Sequence, residues 1–127
     1  MTGTRLLGNG YEPIVDDVGG KLVYSLPVDA NGALTSQDFE ITQADLAVLK
    51  ADPYRYAILY RALDPLLQAA MRKDGRPFTQ HDFRKLADAV LPAGDAQLKQ
   101  FVAQYNQQHG ATIDREADEF LKNRSDS

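Results

Sequence analysis

The chain has 127 residues, 43% of them hydrophobic and 25% charged, with a net charge of −4 and no cysteine. That length suits a single domain, 1–127, which buries about two-thirds of its unfolded surface and needs no disulfide or metal as a staple. The missing cysteines exclude a disulfide framework and a thiolate nucleophile, and no apolar run approaches the ~20 residues of a membrane span.

The N-terminus carries Arg5 but no apolar h-region, so no classical signal peptide is expected, and a cytoplasmic location is expected with it. Residues 1–9 and 123–127 are expected to fray. Between them, residues 11–41 read mainly as β. The runs YEPIVDDV (11–18) and KLVYSLPV (21–28) flank Gly19-Gly20, and two glycines can both take the positive φ of a tight hairpin turn. Pro13 and Pro27 have no ladder donor and are expected at strand ends or on an edge. Asn31-Gly32 marks a second turn, and a third strand is expected at Ala33–Leu34 or Phe39–Ile41.

Residues 42–122 read mainly as α. Thr42 can cap 43–51, with Asp45 adding negative charge in the first turn. Asp52-Pro53 is a second start signal, and the apolar positions Tyr56, Leu59, Leu63, Leu66, Leu67 and Ala70 continue across Pro65, which predicts one kinked helix ended by Gly75 and Pro77. Thr79 caps a third helix with the stripe Phe83, Leu86, Ala87, Val90 and Leu91, stopped by Pro92. Residues 95–109 form a fourth, with Leu98, Phe101, Val102 and Tyr105 on one face and Gly110 after it, and a short fifth runs from Asp114 to Lys122. Strands first and helices after predict an α+β domain: a small N-terminal antiparallel sheet, a hairpin with a third strand, packed against four to five helices.

The charge is divided unevenly. Residues 1–52 hold three bases against eight acids, whereas 53–127 hold eleven bases against ten acids. An acidic half disfavours nucleic acid as a partner and favours a basic protein. Asp16, Asp17, Asp29, Asp38, Glu40 and Asp45 concentrate that charge and are the predicted partner-binding residues. Tyr54, Tyr56 and Tyr60 with Arg55 and Arg61 supply a competing face of hot-spot residue types.

Other chemistries find less support. Aligning Gly32 with the turn glycine of a calcium loop puts Asp29, Asn31 and Asp38 at ligand positions, but Pro27 at the first position has no side-chain oxygen and Asp38 replaces the bidentate Glu. His81 and His109 share no metal-ligand spacing, so no metal or cofactor is expected. No phosphate-cradling glycine loop and no nucleophile elbow is present, and adjacent Asp16 and Asp17 on a strand point to opposite faces, so no enzyme is read. The run MRKDGRPFTQHDFRK (71–85) is net positive around Phe78 and reads as a solvated helix end rather than a phosphate site.

The acidic hairpin EPIVDDVGGKLVYSLPVD followed by FEITQADLAVLKADPYRYAILYRALDPLL resembles the immunity proteins of bacterial contact-dependent growth inhibition and related polymorphic toxin systems. The likeness is of type (small, acidic, cysteine-free, motif-poor), and it assigns no contact position. It implies a protein that binds a cognate toxin domain, often a nuclease, and blocks it inside the producing cell. The competing reading is a small regulatory or adaptor domain that binds a protein through its helices.

Overall fold

The computed structural model describes residues 4–8, 12–30, 33–71 and 75–125, with backbone alone for Asp29, Ala30, Ala33, Leu34, Arg124 and Ser125. The fold is α+β. An antiparallel sheet of β1 (Thr4–Leu7), β2 (Ile14–Val18), β3 (Lys21–Ala30) and β4 (Ala33–Ile41) runs in the order β1-β2-β3-β4. Five helices follow: α1 (Gln43–Ala51), α2 (Pro53–Ala70), α3 (Gln80–Val90), α4 (Asp95–His109) and α5 (Ile113–Ser125).

The β2–β3 turn forms as the two glycines dictate: Gly19 and Gly20 hold φ of +62° and +89°, which side-chain-bearing residues rarely adopt. Two strand expectations change. Residues 4–7, expected to fray, pair with β2, because Leu6 and Leu7 pack against the core. The third strand, expected as one of two short pieces, is continuous from Ala33 to Ile41, because Phe39 and Ile41 bury on the inner face while Ser36, Asp38 and Glu40 take the other. Pro27 lies inside the ten-residue β3, not at its end but on a local edge, the second of its two expected positions. It is tolerated there because β2 reaches only to the Ile14↔Ser25 pair, leaving that side of β3 without a neighbour from β2. The Asn31-Gly32 turn lies outside the described residues, although β3 and β4 pair up to Ala30↔Ala33.

Strand alternation buries one face of the sheet. Val15, Leu22, Tyr24, Leu26, Val28, Phe39 and Ile41 are all sealed there. Against them lies α2, whose Tyr56, Ala57, Ile58, Leu59, Ala62, Leu63 and Leu67 are buried. Each buried Val, Leu, Ile or Phe among them stabilises the fold by about 1.5–3 kcal/mol, so α2 and β3 together form the spine of the core. The Asp52-Pro53 start holds, with Asp52 Oδ1 accepting from the Arg55 N–H at 3.2 Å, and the helix passes through Pro65 unbroken. It ends at Ala70, before the Gly75 and Pro77 expected to stop it.

Both threonine caps form full capping boxes, Thr42 with Asp45 and Thr79 with Asp82. Helix α4 spans 95–109 as expected and closes on Gly110 at φ +59°. Helix α5 begins one residue earlier and extends further than predicted, with Ile113 and Ala117 fully buried. Phe101, expected in the core, is only partly buried; its ring lies at the α4 surface, 6.0 Å from that of Tyr105.

Candidate functional site

The face of the sheet opposite the helices collects the remaining alternate residues. Cross-strand register sets Arg5, Asp16, Val23 and Glu40 in one row, Ile14, Ser25 and Asp38 in the next, and Pro27 beside Ser36 beyond them. Val18 and Lys21 pair at the other end. Asp38, Glu40, Ser36 and Lys21 are exposed, Asp16, Val23, Ile14 and Pro27 are half-buried, and Val18 is 40% exposed. This face therefore carries apolar patches between carboxylates.

The carboxylates are not equivalent. Asp16 takes an ion pair from Arg5, Nε to Oδ1 at 2.6 Å, which cancels most of its field. Asp38 accepts from the Ser36 hydroxyl at 3.0 Å, a neutral donor that leaves the charge standing. No cation is paired with Asp38 or Glu40 among the described residues. Two adjacent, uncompensated charges on an exposed strand attract a basic surface at long range.

The six predicted partner-binding residues thus separate. Asp16, Asp38 and Glu40 share the outer face. Asp17 instead closes the hairpin, its Oδ1 accepting from the Gly20 N–H at 3.0 Å. The Asp29 side chain lies outside the described residues. Asp45 is a correction: only 6% exposed, it cannot meet a partner. Its carboxylate accepts from Arg84 Nη1 and Nη2 at 2.7 and 2.9 Å and from the Thr42 N–H at 2.9 Å. Burial raises the Asp45 carboxyl, but these bonds together outweigh it and hold the group below its ordinary range.

The calcium reading also fails on geometry. Asp29 pairs with Leu34 and Asp38 with Ser25, four residues apart along the strands. At ~3.3 Å per residue that is about 13 Å, too far to share an ion. Among the described residues no group of three or more His, Asp or Glu could hold a metal. His81 and His109 are both exposed, and the His109 ring lies against Tyr105 at 4.4 Å.

The Tyr/Arg face of α2 is largely occupied. Arg55 is 8% exposed and donates to Asp52 Oδ2 at 3.0 Å, to Asp95 Oδ1 at 3.3 Å and to the Val90 carbonyl, tying α2 to the end of α3 and the start of α4. Arg61 donates to Glu116 at 2.9 Å and lies over the Tyr60 ring, which itself meets Phe120 edge-on at 5.2 Å. Helix α5 thus covers most of this face. Tyr54 remains half-buried and walls a cleft of about 620 Å³ between α2 and α4, floored by Leu98 and Val102. In the basic run, Arg76 pairs with Asp82 at 3.0 Å and Arg84 with Asp45 and Asp88, while residues 72–74 lie outside the described residues.

Sequence reasoning missed Gln80. Its carboxamide accepts from the Glu40 N–H at 2.8 Å and donates to the Glu40 carbonyl at 2.9 Å, docking the start of α3 on the margin of the sheet. The two residues are forty apart, so no local pattern announces the contact. No protein-family model, no curated protein and no solved structure matches this chain.

Proposed function

We propose that this protein is a binding module that holds a basic protein on the outer face of its sheet, and that the partner is a toxin domain for which it serves as the immunity protein. One observation carries the binding reading: Asp38 and Glu40 stand exposed side by side, with no cation paired to either among the described residues, next to the half-buried Val23 and Pro27. A nuclease toxin needs a cationic surface to hold phosphates, and an acidic strand competes for that surface. Long-range attraction speeds the encounter, which matters when a toxin must be caught before it acts. The toxin assignment rests on the type resemblance of the acidic hairpin and the helices after it. A regulatory adaptor using the helical side is disfavoured by α5, which covers most of the Tyr/Arg face of α2.

The experiment is to capture the partner from producing cells, identify it, and measure its association rate against ionic strength for the wild type and for Asp38→Asn/Glu40→Gln. The proposal expects a basic partner, an association rate that falls as salt shortens the Debye length to ~8 Å, and a slower association in the variant. An acidic partner, or a rate insensitive to both salt and the substitutions, overturns it. Neutralisation of the captured protein's toxicity on co-expression separates an immunity protein from an adaptor.

A further inference from the structure

The two margins of the sheet are built differently. Strand β1 has four residues and an irregular register between Arg5 and Leu7, two devices that blunt an edge. Strand β4 has nine residues in unshifted register with β3, and no proline or lysine. Its outward backbone positions follow from Gln80. Because the Glu40 N–H and carbonyl both bond that side chain, residue 40 faces away from β3. Antiparallel ladders alternate, so Asp38 and Ser36 face the same way. Pro27 agrees: it stands opposite Ser36, in a pair that asks no N–H of it. Among the described residues nothing bonds the main-chain groups of Ser36 or Asp38 on that side.

Gln80 shows what this edge accepts, since a carboxamide presents one donor and one acceptor as a neighbouring strand's peptide does. The occupant is selected by charge. A second copy of β4 would bring the Asp38 and Glu40 of both chains to the same margin, where like charges oppose pairing. An extended segment with lysine or arginine at alternate positions would instead set its cations beside these carboxylates.

We propose that the free edge of β4, at Ser36 and Asp38, takes up an extended cationic segment of a partner protein as a fifth strand. This rests on the reading that the partner is basic, and it adds how that partner is held: main-chain bonds supply affinity, and the alternate carboxylates select the side chains.

The test uses the full chain and synthetic decapeptides alternating lysine and threonine. One peptide is unmodified. Two others are N-methylated at alternate amides, one in each of the two possible phases, so that each keeps its charge but between them they remove every ladder donor. Affinity is measured by fluorescence anisotropy, and protection of backbone amides by hydrogen exchange with NMR detection. The expected result is binding of the unmodified peptide, slowed exchange at the Ser36 and Asp38 amides, and about tenfold or greater loss of affinity for at least one methylated peptide, as the loss of two or more hydrogen bonds requires. Equal binding of all three peptides, lost in Asp38→Asn/Glu40→Gln, overturns the fifth strand while leaving the acidic-face reading intact. Absence of binding by any peptide, or binding without protection at Ser36 and Asp38, also overturns it. The proposed function is judged separately, by the salt dependence of the captured partner.

Discussion

Replacing Asp45 by Asn tests whether this acid belongs to the fold rather than to a surface. Three bonds converge on its carboxylate, two from the Arg84 guanidinium and one from the Thr42 N–H. Charge-assisted bonds contribute about 1.5–3 kcal/mol each, and cutting a buried ion pair costs about 3–5 kcal/mol. Arg84 is 31% exposed at its side chain and keeps Asp88, so solvent and a second acid soften its loss. Asn also retains an oxygen for the Thr42 N–H. The expected cost is therefore about 2–3 kcal/mol, read as a lower urea midpoint at unchanged slope. Arg84→Met should cost more, because it leaves Asp45 buried and charged without its partner. The pH dependence has a fixed sign. The folded carboxyl titrates below its ordinary value of 3.8, so the unfolded chain takes up the proton first as pH falls. The stabilisation is full above about pH 5 and is lost as pH drops through the folded value. The wild type should therefore converge on Asp45→Asn in acid. A gap between them that is equally large at pH 3 and pH 7, or a cost below about 0.5 kcal/mol at pH 7, refutes the assignment.

Tyr24 is fully buried, and its hydroxyl has no hydrogen-bond partner among the described residues; Tyr24→Phe should raise stability by about 1 kcal/mol in the same assay, since it removes a desolvated group without changing shape. Arg55→Met should lower it by about 3 kcal/mol or more, and Arg55→Lys should not restore it, because one ammonium cannot reach Asp52, Asp95 and the Val90 carbonyl together. Leu86→Ala should cost about 2–4 kcal/mol and Phe101→Ala distinctly less, since the first side chain is buried and the second lies at the surface of α4. The reverse order in a denaturant titration would mean that α3 and α4 are packed through different faces.

Most of the fold was legible because its signals are local. Gly19-Gly20, the two threonine caps, Asp52-Pro53 and Gly110 each fix backbone geometry within a few residues, and each sits where the sequence placed it. Strand β4 was harder, since Thr35 to Asp38 are all polar and only register against β3 shows that they form one strand with Phe39 and Ile41. The site was legible only in part. Alternation divides Asp16 from Asp17, but it cannot reveal that Arg5 reaches Asp16 or that Arg84, thirty-nine residues on, claims Asp45. The local signal that bore on Asp45 is its place three residues after the Thr42 cap, where the capping box turns the carboxylate back on its own helix; it says nothing of Arg84.

That division of the acids gives a test independent of any partner. Asp38 and Glu40 are two residues apart on one face, at a separation of about 7 Å, and two charges at that distance in water repel by roughly 0.6 kcal/mol. No cation among the described residues offsets this. A charge pair of that kind mildly opposes folding, so a structural role predicts the wrong sign for its removal. Asp38→Asn/Glu40→Gln should leave the protein as stable as the wild type or more stable by up to about 0.6 kcal/mol, and the gain should vanish in 1 M salt, where the Debye length is ~3 Å. Asp45→Asn should do the opposite, losing stability at any ionic strength because its pair is buried. If neutralising Asp38 and Glu40 instead destabilises the fold by 1 kcal/mol or more, these carboxylates hold the sheet margin, and the charge placed there is no longer evidence of a surface kept for another molecule.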